Sequence, residues 1–130
     1  MPAMDGAKQC DHMVLVVDDD PDIRESLSDV LTDEGYQVVT AVDGRDALVK
    51  LRGPGVSPCV ILLDLMMPVM SGVQFYAEKQ SDPKLSWIPV VIVSADGNVR
   101  LKASSLGGEY IAKPVRIEQV LDVVQRHCAA

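Results

Sequence analysis

The sequence predicts an α/β domain built on a five-stranded parallel sheet, doubly wound with helices on both faces. Three observations carry this. Short apolar runs rich in β-branched residues recur along the chain, and they are continuous rather than alternating. Such runs suit strands covered on both faces. Between them lie segments whose apolar residues repeat at helical spacing. The alternation of the two patterns implies a parallel sheet sandwiched between helices, with right-handed crossovers.

The elements follow in order. Residues 1–12 are small, polar and without period, and read as a flexible tail ahead of a domain spanning 13–130. Met13 to Val17 is the first strand. Asp20 and Pro21 start a helix, as N-cap and first helical residue. Ile23, Leu27, Val30 and Leu31 give it one buried face, and Gly35 stops it. Val38 to Ala41 is a second strand. Asp43 caps a second helix carrying Ala47, Leu48 and Leu51, broken by Gly53-Pro54-Gly55. Cys59 to Leu63 is the third strand, ending in Asp64. Pro68 and Gly72 bracket a loop, and a third helix follows with Val73, Tyr76 and Ala77 on one face. Pro89 to Val93 is the fourth strand, ending at Ser94. Residues 98–106 form at most a short helix, stopped by Gly107-Gly108. Tyr110 to Ala112 is a brief fifth strand that leads into Lys113-Pro114. The last helix carries Ile117, Val120, Leu121 and Val124.

Composition narrows the function classes. The chain has 130 residues, which fits one domain, and 48% hydrophobic content supplies a core without staples. A net charge of −7 argues against non-specific binding to nucleic acid and against docking on anionic membranes. No apolar stretch approaches the roughly 20 residues needed to span a bilayer, and no secretory signal pattern opens the chain. Cys10, Cys59 and Cys128 are odd in number and match no metal motif. Cys59 reads as a small buried side chain, and a reducing, cytoplasmic compartment is the simplest inference.

The polar residues that close the strands point to chemistry. Ligands of open parallel sheets bind beyond the carboxyl ends of the strands. Those ends carry Asp18 and Asp19, then Asp64, Ser94 and Lys113. Neighbouring strands lie about 4.8 Å apart, so these residues can converge on one small ligand. Three clustered carboxylates repel one another, and a divalent cation relieves that. An oxygen-only donor set suits Mg²⁺, or Mn²⁺, rather than zinc. A carboxylate nucleophile beside a lysine and a hydroxyl suits phosphoryl transfer through an acyl-phosphate. Taken singly, the same residues have plain readings. Asp20 and Asp43 are helix caps, Ser94 a loop serine, Tyr110 a core residue, and Trp87 and Phe75 packing residues.

Val16-Val17-Asp18-Asp19, Leu63-Asp64-Leu65-Met66-Met67-Pro68 with Gly72, Val93-Ser94-Ala95, and Tyr110-Ile111-Ala112-Lys113-Pro114 together resemble the motif set of response-regulator receiver domains. The resemblance spans nearly the whole chain after the tail. It implies a flavodoxin-like (βα)5 fold with strand order 2-1-3-4-5. It implies Asp64 as phosphoacceptor, Asp19 as direct metal ligand, Asp18 as a ligand through water, and the Met66 backbone carbonyl as a further ligand. Lys113 would pair with the phosphoryl group through a cis Lys113-Pro114 turn. Ser94 and Tyr110 would be the switch pair. The implied partners are a sensor histidine kinase or a histidine phosphotransfer protein, a downstream protein target, and a second copy in a phosphorylation-dependent homodimer, with neither nucleic acid nor membrane bound directly. The implied role is signalling, and the only reactions catalysed are self-phosphorylation and autodephosphorylation.

The stretch from Ser94 to Lys113 is shorter than in many receivers, so a short or irregular fourth helix is expected. Met66 and Asp96, each two residues past a site residue, are expected to tune hydrolysis of the acyl-phosphate, with apolar Met66 slowing it. Two other functions compete. A Mg²⁺-dependent phosphohydrolase with an aspartate nucleophile would carry a second acid two residues after Asp64, where this chain has Met66. A receiver-like module that never takes phosphate would normally have lost an acid or the lysine, and none is lost.

Overall fold

The computed structural model describes residues 12–65, 67, 69–95, 104, 106 and 108–128. The predicted tail 1–12, apart from His12, lies outside these residues. So does nearly all of the short helix expected over 98–106.

The five apolar runs form one parallel sheet: β1 (Met13–Val17), β2 (Gln37–Ala41), β3 (Val60–Asp64), β4 (Val90–Ser94) and β5 (Tyr110–Ala112). The spatial order is β2-β1-β3-β4-β5, so the chain reverses direction across the sheet at β1 and β3. Four helices connect or follow the strands among the described residues: α1 (Pro21–Asp33), α2 (Gly44–Arg52), α3 (Gly72–Gln80) and α4 (Ile117–Cys128). The predicted fold class and strand order are both found.

Strand alternation splits the core in two. Leu15, Val17, Ile61, Leu63 and Ile92 face Ala47, Leu48 and Leu51 of α2 and Phe75 of α3. Val14, Val16, Val60, Leu62, Val91, Val93 and Ile111 face Leu27 and Leu31 of α1 and Val120, Val123 and Val124 of α4. Every residue of β1, β3 and β4 is buried, which is why their runs show no polar alternation.

Local signals set the helix ends. Asp20 caps α1 by accepting from the Asp22 amide at 2.9 Å, and Asp43 caps α2 by accepting from the Asp46 amide at 2.8 Å. Gly35 stops α1 with φ of +94°, a conformation that a side chain would resist. Ser71 and Gln74 form a reciprocal capping box at the start of α3.

Three expectations need correction. The buried stripe of α3 is Gly72, Phe75 and Lys79; Val73 and Ala77 face solvent. The cap at Ser71 fixes the helix start, and that start sets which residues turn inward. The stripe of α4 is Val120, Val123, Val124 and Cys128, with Ile117 exposed. Trp87 is also exposed, its indole donating to the Lys84 carbonyl at 2.9 Å.

The cysteines differ as well. Cys59 and Cys128 are joined as a disulfide, with Cα atoms 5.4 Å apart. This pairing removes the cysteine-based argument for a reducing compartment. Among the described residues, no helix is long and apolar enough to cross a membrane.

Candidate functional site

The strand register builds the site. Val17 pairs with both Ala41 and Leu63, so Asp18 and Asp64 stand one step beyond matched positions on neighbouring strands. Asp64 pairs with Val93, and Ser94 with Ala112, which brings Ser94 and Lys113 to the same edge of the sheet. The Lys113 amide donates to the Ser94 carbonyl at 2.9 Å and prolongs that pairing past the strand.

Asp18, Asp19 and Asp64 each offer a carboxylate oxygen, and the three atoms lie within 4.8 Å of one another. Asp18 and Asp64 are buried while Asp19 is exposed, so the cluster opens to solvent on one side. Lys113 Nζ donates to Asp18 Oδ2 at 3.0 Å and lies 3.7 Å from Asp64 Oδ2. One ammonium thus bridges the two buried acids and offsets their repulsion. The bond from Lys113 to Pro114 is cis, as the resemblance implied. The donor set is all oxygen, and the exposed edge leaves room for water; both fit Mg²⁺, whose coordination usually retains waters.

Backbone bonds hold the acids in place. Asp18 Oδ1 accepts from the Asp20 amide at 2.9 Å, and the Asp18 amide donates to the Ala41 carbonyl at 3.1 Å. The same Asp20 therefore caps α1 and fixes a site residue. Sequence reasoning missed Arg24, whose Nη1 donates to the Asp18 carbonyl at 2.7 Å. Its place one turn into α1, directly after the acid pair, is the signal that pointed there.

Gly72, a loop boundary and part of the motif set in the sequence, packs directly against Asp64 and Leu65. A Cβ there would stand 2.6 Å from the Asp64 carbonyl oxygen and 2.8 Å from the Leu65 Cα. Only glycine lets the start of α3 come this close. In the intervening loop Val69 adopts φ of +67°, unusual for a β-branched residue, at a cost of about 1–2 kcal/mol. Strain of this kind collects beside functional sites.

Ser94 is fully buried at the end of β4. Tyr110 is half-buried and packs against the α2/α3 side of the core. Met66 and Asp96 lie outside the described residues, and so does the Met66 carbonyl. The structure therefore gathers Asp18, Asp19, Asp64 and Lys113 into one cluster, and sets Ser94 beside Lys113 through the backbone.

An open parallel sheet with a cluster of acids at its carboxyl edge and a strand-end lysine among them defines a class of phosphate- and metal-handling α/β domains. Within that class the sequence model of the response regulator receiver domain matches residues 14–125. The chain belongs to this family and is a receiver domain of two-component signalling.

Its relatives agree. It is 32% identical over 117 residues to Protein PilG of Pseudomonas aeruginosa, covering 88% of this chain and 85% of PilG. It is 35% identical over 112 residues to Hybrid signal transduction histidine kinase D of Dictyostelium discoideum, covering 84% of this chain but 7% of that protein. The probable transcriptional regulatory protein TcrX of Mycobacterium tuberculosis is 36% identical over 83% of this chain and 46% of its own length. The chain thus spans less than half of two of these relatives and most of the third.

Among solved structures, the chemotaxis protein CheY4 of Vibrio cholerae superposes with a TM-score of 0.77 at 32% identity, covering 88% of this chain and 96% of CheY4. The response regulator TrrA of Thermotoga maritima, solved in complex with Mg²⁺–BeF, superposes with a TM-score of 0.74 at 30% identity, covering 88% and 97%.

Proposed function

We propose that Asp64 accepts a phosphoryl group from a phosphohistidine, with Mg²⁺ or Mn²⁺ held by Asp19 and Asp64 directly and by Asp18 through water. The observation that carries this is the meeting of three carboxylate oxygens within 4.8 Å with Lys113 Nζ bridging two of their owners. An oxygen of the Asp64 carboxylate forms the new bond to phosphorus, and the bond from phosphorus to the donor imidazole breaks. The imidazole leaves with the electron pair and takes up a proton. Lys113 neutralises charge on the phosphoryl oxygens, which a flexible ammonium does as a point charge. The bound cation would supply the remaining electrostatic stabilisation. The Mg²⁺–BeF complex of TrrA supports this assignment.

The Met66 carbonyl completes the metal ligands in this reading, and the Met66 and Asp96 side chains set the rate of hydrolysis. Ser94 and Tyr110 form the switch. Burial of Ser94 and half-burial of Tyr110 support it, because a ring already partly in the core has a short distance to travel inward. The donor is a sensor histidine kinase or a histidine phosphotransfer protein in the cytoplasm. The phosphorylated form acts on a downstream protein or pairs with a second copy. It binds neither nucleic acid nor membrane directly and turns over no external substrate. The domain comprises residues 13–130, behind a tail of residues 1–12.

The test is incubation with Mg²⁺ and acetyl phosphate followed by intact mass. One added phosphoryl group, absent in Asp64→Asn and absent with chelator, is the expected result. Steady turnover of varied phosphoesters would instead show a hydrolase, and no adduct at all an inert module.

A further inference from the structure

We propose that Cys59 and Cys128 form a reversible redox site that latches the end of the last helix to the amino end of β3. Cys59 immediately precedes β3, and Cys128 is the last residue of α4. Both are buried and joined as a disulfide across 69 positions of sequence. The bond is far from the proposed phosphoryl site: Cys59 immediately precedes β3, and Asp64 is its last residue. At about 3.3 Å per residue that strand separates them by about 17 Å.

Two observations make this a switch rather than a staple. First, α4 is docked without it. Val120, Val123 and Val124 are buried against the sheet, and Arg126 and His127 each reach Glu109 at 2.7 Å. A domain of this size buries enough apolar surface to fold without a cross-link. Second, the reduced state has a place ready. Cys59 Sγ lies 3.2 Å from the Met13 carbonyl oxygen, an acceptor for the thiol when the bond opens. On the Cys59 side, a buried thiol with this acceptor leaves no unsatisfied donor behind.

Entry to the pair runs through the last turn of α4, since helix ends fray. The oxidant is a low-molecular-weight disulfide such as glutathione disulfide. The Cys128 thiolate attacks one of its sulfurs and expels one thiolate, leaving a mixed disulfide on Cys128. The Cys59 thiolate then attacks the Cys128 sulfur and expels the second thiolate. Two protein thiols are oxidised to one disulfide, the small disulfide is reduced to two thiols, and the two protons pass to the departing thiolates. A dithiol reductant reverses both steps.

The test uses the full chain, equilibrated with mixtures of reduced and oxidised glutathione, then acid-quenched, alkylated and peptide-mapped. The expected result is a Cys59–Cys128 cross-link in oxidising mixtures that opens fully in reducing ones and re-forms on return. Hydrogen exchange at residues 125–128 should slow by about tenfold in the oxidised form, as a fraying turn becomes tied down. Melting of that form should rise on the order of 10 °C. Cys128→Ala should lose both responses, and Cys59→Ala serves as the second variant.

Phosphorylation by acetyl phosphate is followed in the same samples, and its rate should not change between the two forms. That readout separates failure of the latch from failure of the phosphoacceptor assignment. A bond that resists reducing mixtures, thiols that never pair, pairing with Cys10 instead, or equal exchange in both forms would each overturn the proposal.

Discussion

Lys79 shows how far one residue can stand from the composition rules. It sits on the buried stripe of α3, with Nζ donating to Gln80 Oε1 at 2.7 Å and to the Ser86 carbonyl at 3.2 Å. The ammonium also lies 5.6 Å from the centre of the Tyr76 ring. Burial pushes its pKa down to about 8 from 10.5. The unfolded chain therefore holds the proton more tightly, and wild-type stability should rise relative to a neutral variant between pH 8 and 10.5. Lys79→Met should be the more stable protein at pH 7. Lys79 lines a surface cavity beside Ser86 and Trp87, so the gain is discounted to about 1–2 kcal/mol. Urea melts of both proteins at pH 7 and pH 10 check this, and the gap should close at the higher value. Gly72 sets a second residue-scale prediction. Gly72→Ala places a methyl 2.6 Å from the Asp64 carbonyl oxygen and 2.8 Å from the Leu65 Cα, and backbone atoms do not yield as a flexible side chain would. A loss of about 2 kcal/mol is expected, with slower phosphoryl uptake, read by thermal melting and intact mass.

The polar clamp that ties the entry of β5 to α4 is testable. Glu109, just ahead of β5, accepts from Arg126 Nη2 and pairs with His127 Nε2, both at 2.7 Å. Burial alone would raise its pKa; the bonds and charges of His127 and Arg126 outweigh that and hold it below the usual value of 4.5. The stabilisation is present above that value and fades as acid protonates the folded carboxylate. Glu109→Gln should cost about 1 kcal/mol at pH 7. The difference should fade as the pH falls through the lowered folded-state pKa of Glu109, and shrink in high salt, because Arg126 is exposed. Acid-dependent melts of the two proteins decide it. The helix stripes teach a related lesson. The apolar residues of α3 and α4 were visible, but the rotation of each helix was not. Val73 looked as suitable for the core as Phe75, yet with the helix start fixed at Ser71 it is Phe75 that turns inward and Val73 that faces solvent.

At the scale of the whole molecule, the acids act as a charge concentration that a cation completes. Mg²⁺ should raise the melting temperature by several degrees, worth about 1.4 kcal/mol at ten times its dissociation constant. Chelator should reverse the gain and Asp19→Asn should abolish it; Asp19 is exposed, so the variant should otherwise fold as the wild type does. Much of this could be read directly from the chain. The strands, the caps at Asp20 and Asp43, and the gathering of Asp18, Asp64 and Lys113 are consequences of local pattern and of parallel topology, while the strand order was implied by the resemblance to receiver domains. Apolar runs must be covered on both faces, and right-handed crossovers leave one natural edge for their polar ends. Other features had no local signal. The bond between Cys59 and Cys128 depends on two surfaces meeting across 69 positions of sequence, and the burial of Lys79 depends on how α3 seats against the sheet. Those meetings are decided by side-chain volume and by the exact seating of each helix on the sheet, and so only the tertiary structure determines them.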